Sequence, residues 1–301
     1  MRTRRNRTLA AAAAALLLAS CQTVDPVLAQ NPKLPRATPS QQALHSLPPP
    51  EQRVYVAVYA FADQTGQNKP NDSFPEYSRA VSQGGVSILI NALKDAGRGS
   101  WFAVLERDNL TSLLQERQLI RANRSQFLGE DGKPLPPLRG LYNAGVLLSG
   151  GVIGYDSNVV TGGAGARYLG IGASTKYRRD QVTVYLRAAS VVTGEVIVSA
   201  AASKTIYSVA LNADTFRFVG ADRILEVDAG VTRNEPREIA LKQAIEKAVG
   251  ELILSGAERG YWQFADKTAQ ASYLNARAQE LSSLGYYPAA LTAHPATPSP
   301  R

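Results

Sequence analysis

Two segments of this sequence, residues 159–179 and 209–233, alternate with a period of two, and each is long enough for two strands of about ten residues. In the first, Leu169, Ile171 and Ala173 alternate with Gly170, Gly172 and Ser174, with Tyr168 and Tyr177 near opposite ends. In the second, Val209, Leu211, Ala213 and Thr215 alternate with Ala210, Asn212, Asp214 and Phe216. The return leg carries Phe218, Val219, Ile224, Leu225, Val227, Ala229 and Val231. Tilted strands of this length cross a bilayer, whereas the glycine-rich 158–176 stretch is too polar for a membrane helix. Four crossing strands cannot close a barrel alone. An open edge in hydrocarbon leaves backbone N–H and C=O groups unpaired, at several kcal/mol each. A membrane reading therefore demands strands from other copies, hence a ring, and a ring encloses a pore. The pattern alone equally fits a water-soluble domain with two long amphipathic hairpins.

The amino-terminal end favours an envelope address. Arg2, Arg4, Arg5 and Arg7 precede an apolar run from Leu9 to Leu18, too short to span as a mature helix, so residues 1–20 read as a signal peptide. Leu18-Ala19-Ser20-Cys21 forms a bacterial lipobox around the only cysteine of the chain. Processing would leave Cys21 first, carrying diacylglycerol on its thiol and an acyl chain on its amine. Gln22 follows rather than Asp, which resembles outer-membrane routing. Residues 22–52, with Pro48-Pro49-Pro50, read as an extended tether, so 21–52 is taken as the lipidated amino-terminal tether of the mature chain.

Composition excludes several function classes. Of 33 Lys and Arg residues, four arginines belong to the leader, so the processed chain carries 29 against 25 acidic residues. No basic run stands out, which argues against a nucleic-acid partner. One cysteine and two histidines, His45 and His294, exclude a disulfide framework, a histidine metal cluster and a Cys/His pair. Gly162-Gly163-Ala164-Gly165 lacks the Lys-Ser/Thr of a phosphate loop. Carboxylates occur without a reactive constellation, so no enzyme activity and no cofactor beyond the Cys21 lipid are expected.

Between these landmarks the pattern is α/β. Val54-Tyr55-Val56-Ala57-Val58-Tyr59 reads as a central strand and residues 63–66 as a turn. Residues 67–78 form a loop with two prolines and two aromatics, and 79–96 a helix with Val81, Val86, Leu89, Ile90 and Leu93 on one face. Strand 101–105 leads into helix 109–122, striped by Leu110, Leu113, Leu114 and Ile120, and strand 146–155 follows a Pro/Gly loop. Val182, Val184 and Leu186 alternate with polar neighbours, and Thr193-Gly194 turns the chain into 196–202. Asn234-Glu235-Pro236 opens a helix to about Ser255, 266–284 is another, and 286–301 reads as a disordered tail. Strand–helix–strand–helix–strand order suggests an α/β or α+β domain.

Particular runs resemble a known family. They are Thr65-Gly66-Gln67, Leu93-Lys94-Asp95, Leu105-Glu106-Arg107 and Leu113-Leu114-Gln115-Glu116-Arg117. Ile153-Gly154-Tyr155-Asp156-Ser157-Asn158-Val159 and residues 162–173 are the most specific. Thr193-Gly194-Glu195, Ser203-Lys204-Thr205-Ile206, Phe216-Arg217-Phe218 and Asn234-Glu235-Pro236 also match. Over residues 21–265 the chain is similar to the curli secretion channel lipoprotein family, CsgG, with a holdfast-anchoring relative also in view.

The resemblance implies a ring of nine copies, each giving two transmembrane β-hairpins, 159–179 and 209–233, to one 36-stranded barrel. Segments 53–158, 180–208 and 234–285 would form the α/β (α+β) periplasmic domain beneath an outer membrane. The resemblance also implies that loop 67–78 points inward and narrows the channel. Tyr77 stands where the family has Phe, and Glu76 replaces the Asn before it. The family's Tyr falls at Asn71, or at Phe74 if one residue is inserted. Nine Glu76 carboxylates in one ring would repel one another. Glu226 and Asp228 match acidic lumen positions, and Arg217 faces either the lumen or a neighbouring chain. The expected activity is passage of unfolded amyloid or adhesin subunits, without nucleotide hydrolysis. A periplasmic plug and extracellular accessory proteins would be partners. The alternative is a lipoprotein that scaffolds envelope complexes without a pore.

Overall fold

The computed structural model describes residues 37–66, 84–129, 131–161, 176–212, 215–219 and 235–286, all within one compact unit. Its frame is a six-stranded sheet in the order β2-β1-β3-β4-β5-β6. The strands are β1 (Val54–Asp63), β2 (Phe102–Leu105), β3 (Val146–Thr161), β4 (Lys176–Ser190), β5 (Val196–Asn212) and β6 (Thr215–Val219). β1 runs parallel to both β2 and β3, and the pairs β3–β4, β4–β5 and β5–β6 are antiparallel. A domain of parallel and antiparallel strands with helices on one face matches the expected α/β (α+β) class.

Five α-helices occur among the described residues: α1 (Pro39–His45), α2 (Gly85–Asp95), α3 (Leu110–Gln126), α4 (Glu235–Glu258) and α5 (Lys267–Ser283). α4 lies on β4 and β5, and α2 on β1 and β2. Alternation selects the buried face of the sheet. Val182, Val184, Leu186 and Ala188 of β4 are buried, as are Val56, Val58 and Phe61 of β1. Against them α4 presents Leu241, Ile245, Val249, Leu252 and Ile253, each fully buried. Trp101 closes one end of this core, its Nε1 donating to the Pro48 carbonyl at 2.8 Å and its ring edge-on to Phe264 at 4.8 Å. Gly256 is required where it stands, because a Cβ there would run into the indole of Trp262.

Part of the stretch expected as tether belongs to the domain. Thr38 caps α1 by accepting from the Gln41 amide at 3.0 Å, Pro39 occupies the first turn, and Leu44 and Leu47 are buried in the core. The Pro/Gln/Ser composition of 22–52 hid this helix, since a one-sided contact needs only two leucines. A polar cluster fixes α1 further. Gln41 Nε2 donates to Asp95 Oδ2 at 2.7 Å, and the Thr38 hydroxyl donates to the Glu246 carboxylate. Burial raises the Glu246 pKa, and the Thr38 hydrogen bond and Lys242, 3.8 Å away, only partly offset it.

α5 has no buried residue and is held to α4 by charge. Arg277 binds Glu251 at 2.9 Å and Glu258 at 2.8 Å, and Lys247 binds Glu280 at 2.8 Å. Burial works against the Lys247 ammonium, but Glu280 and Glu251 outweigh it and the pKa is raised.

Two boundaries differ from the sequence reading. The strand expected over 146–155 runs on as β3 to Thr161, and β3 and β4 pass unbroken from the domain into the expected hairpin 159–179, with one register shift between Val152 and Gly154. The second turn also comes earlier. Asn212 pairs with Thr215, so Thr215 and Phe216 belong to the return strand rather than the outgoing leg. Alternation is blind to such a turn, because polar and apolar residues keep alternating across it.

Candidate functional site

The sequence-derived site residues Cys21, Asn71, Phe74, Glu76, Tyr77, Glu226 and Asp228 all lie outside the described residues. The described chain shows where the segment 67–83 is rooted. β1 ends at Asp63, opposite Val152 of β3. Immediately beyond, Asp63 Oδ1 accepts from the Thr65 amide at 3.0 Å and the Thr65 hydroxyl at 2.7 Å, and the Gln64 amide donates to the Val152 carbonyl at 2.9 Å. This Asx-type turn ends in Gly66 at φ +66°, a conformation glycine adopts without strain. The other root, Gly85, packs so tightly on Phe61 that a Cβ would meet its ring. Both ends of 67–83 are therefore pinned at the same end of β1.

At that level the sheet changes. β1 stops, while β3 continues to Thr161 with only β4 beside it, and β4 and β5 continue together. Among the described residues, the outer edge of β3 beyond Val152 has no strand partner, and neither has the outer edge of β6. The helix-side face stays sealed across the transition. Tyr155, Asp180 and Ile206 are buried there, and the Tyr155 hydroxyl donates to Asp180 Oδ1 at 3.1 Å. Gly151 has backbone on its side of β1, since a Cβ would run into the Ala62 carbonyl oxygen.

Among the described residues the opposite face carries no helix, and it is mostly polar. Its rungs read Ser149–Arg187–Ser199, Gly151–Tyr185–Ala201, Gly154–Thr183–Ser203, Asp156–Gln181–Thr205 and Asn158–Arg179–Tyr207. Arg187 Nε donates to Ser149 Oγ at 2.9 Å, and the Thr183 and Ser203 hydroxyls share a hydrogen bond of 2.8 Å. The alternation of β4 signalled this face, but the sequence did not reveal that helices would cover only the other one. Among the described residues no helix is long and apolar enough to cross a membrane.

The chain matches the family described as Curli production assembly/transport component CsgG over residues 38–282. It is 41% identical over 269 residues to the protein of that name from Salmonella typhimurium, covering 89% of this chain and 95% of the relative. The Escherichia coli K12 protein of the same name is 40% identical over the same shares. Among solved structures, a PelC dodecamer from Paraburkholderia phytofirmans, 14% identical, covers 69% of this chain and 93% of its own, with a TM-score of 0.26. With a family match across most of its length and relatives of this identity, the chain belongs to the Curli production assembly/transport component CsgG family.

Proposed function

We propose that this protein is an outer-membrane secretion channel, built as a ring of about nine copies whose hairpins form one closed barrel. The observation that carries the reading is the sheet above β1. There β3, β4, β5 and β6 alternate in direction, and among the described residues the outer edges of β3 and β6 have no strand beside them. β6 of one copy set beside β3 of the next continues the antiparallel alternation and satisfies both edges at once. In hydrocarbon each unpaired backbone group costs several kcal/mol, so closure by other copies is the only low-energy solution.

The segment 67–83 is rooted at the foot of these strands, which favours its role as the channel's constriction, with Asn71, Phe74, Glu76 and Tyr77 setting its width and charge. Glu226 and Asp228 add an acidic band to the lumen, and lipid on Cys21 anchors each copy. Transport involves no bond chemistry, metal or nucleotide. An unfolded curli-like or related surface-adhesin subunit enters from the periplasm, past the polar sheet face, and threads the narrowing. Confinement below a plug, or capture and folding outside, supplies direction.

Single-channel recording on the purified lipidated protein tests this reading. Discrete conductance steps from a ring-sized particle are expected. A particle of monomer mass that inserts without conducting would overturn it and return the scaffold alternative.

A further inference from the structure

We propose that α1 is a latch set by pH: the helix joining the amino-terminal tether to the domain is held by the buried carboxyl of Glu246 and lets go as the surroundings turn alkaline. The channel reading above uses neither this helix nor this carboxyl. Only the consequence for reach, given below, rests on the Cys21 anchor.

α1 has few apolar holds. It lies on α2 and α4, and Leu44 is the one side chain within it that is buried. Seven residues are too few for a helix to persist alone in water, so α1 melts when it leaves. The chain just beyond it is fixed independently. Leu47 is buried, and the Pro48 carbonyl accepts from Trp101 Nε1. The Pro49 carbonyl accepts from the Ala265 amide at 3.0 Å, and the Glu51 amide donates to the Gln263 carbonyl at 2.8 Å. Residues 37–46 can therefore peel away while 47–51 stay.

The remaining holds are polar and converge on one carboxyl. Glu246 is only 1% exposed, on a helix whose Ile245 and Val249 are fully buried. The hydroxyl of Thr38, the N-cap of α1, donates to it. Lys242 Nζ lies 3.8 Å from Glu246 and donates to Gln41 Oε1 at 3.3 Å, while Gln41 Nε2 reaches Asp95 of α2. At the far end of α1, His45 Nε2 stands 3.3 Å from Asp95 Oδ1. Among the charged groups facing the Glu246 carboxyl, Lys242 favours its ionised form and Asp95 opposes it. His45 attracts Asp95 by charge only when its imidazole is protonated.

The sign follows from what α1 covers. With the helix in place, burial outweighs Thr38 and Lys242, so docked Glu246 holds a proton more readily than Glu246 uncovered to water. Docking is strongest in acid, up to the ordinary carboxylate range, and weakens as pH rises from there through the raised docked value. The His45–Asp95 pair has the same sign, because it too loses attraction as protons leave. Extended, residues 37–46 span about 33 Å, so opening the latch lengthens the leash between Cys21 and the domain, and acid shortens it.

Hydrogen–deuterium exchange on the full-length protein in detergent, corrected for the intrinsic effect of pH on exchange, tests the latch. Residues 42–46 should lose protection by at least about threefold from pH 5 to pH 8, within the roughly tenfold per pH unit that one proton allows. Residues 244–253 of α4 should keep theirs. Glu246→Gln is neutral at every pH and can still accept from Thr38, so it should hold the protection of 42–46 level. A level wild-type profile overturns the proposal without any variant. So does a wild-type slope retained in Glu246→Gln, which would give the effect to His45, or α4 opening in step with α1, which would make the event global. The readout is local to the domain: a preparation that forms no conducting ring removes the channel reading and leaves the latch to be judged by its own slope.

Discussion

Replacing Asp63 by Ala should loosen the root of the proposed constriction without unfolding the domain. Asp63 Oδ1 holds the Thr65 amide and hydroxyl at 3.0 and 2.7 Å, at the last residue of β1. Hydrogen bonds to a carboxylate contribute about 1.5–3 kcal/mol each when sheltered. Both residues are only half-buried, which brings the pair down to about 1–3 kcal/mol in total. That energy shifts a local equilibrium by about 5- to 150-fold, enough to populate other departures of the chain at Gly66. The assay is single-channel recording on rings of wild-type mass. D63A should broaden the spread of conductances and raise open-channel noise. D63N keeps an acceptor for Thr65 and should fall between. If D63A superimposes on the wild type, residues 67–83 do not govern the conduction path. If D63N and D63A behave alike, the lost charge is responsible and the root argument fails.

Two further substitutions probe the domain itself. Burial raises the Glu246 pKa, so the folded chain holds this proton to higher pH than the unfolded chain does, and stability falls as pH rises past the ordinary carboxylate range. Glu246→Gln should therefore melt higher than the wild type near neutral pH, with the gap closing on acidification; a gap that ignores pH would contradict the burial argument. Gly151→Ala places a Cβ against the Ala62 carbonyl oxygen and must part β1 from β3, at a cost of about 1–3 kcal/mol. A melting temperature unchanged from the wild type would show that the strands are not paired in this register.

The open polar face and the helix-covered face follow from one period-two pattern, but only their pairing into rungs gives the pattern a direction. Val182, Val184 and Leu186 were legible as a buried row because alternation is a property of one strand. That β3 outlasts β1 at Val152 was not legible, since strand length relative to a neighbour is a non-local quantity. The same limit explains why alternation carried the outgoing leg through Thr215, whereas the pairing of Asn212 with Thr215 puts Thr215 on the return strand. It also explains α1, whose Leu44 is buried only because α2 and α4 leave a place for it.

The sequence by itself determined the family, through runs such as 153–159 that lie within the matched residues 38–282, together with the order of strands and helices. These are local properties, written in side-chain type and spacing. Among the described residues, the tertiary structure alone decided that the flanks of 67–83 meet the foot of the prolonged strands, that one sheet face carries no helix, and that residues 106–145 hold no buried side chain. Edges, faces and unsatisfied surfaces exist only once distant segments have paired, because each is defined by what the rest of the chain leaves uncovered.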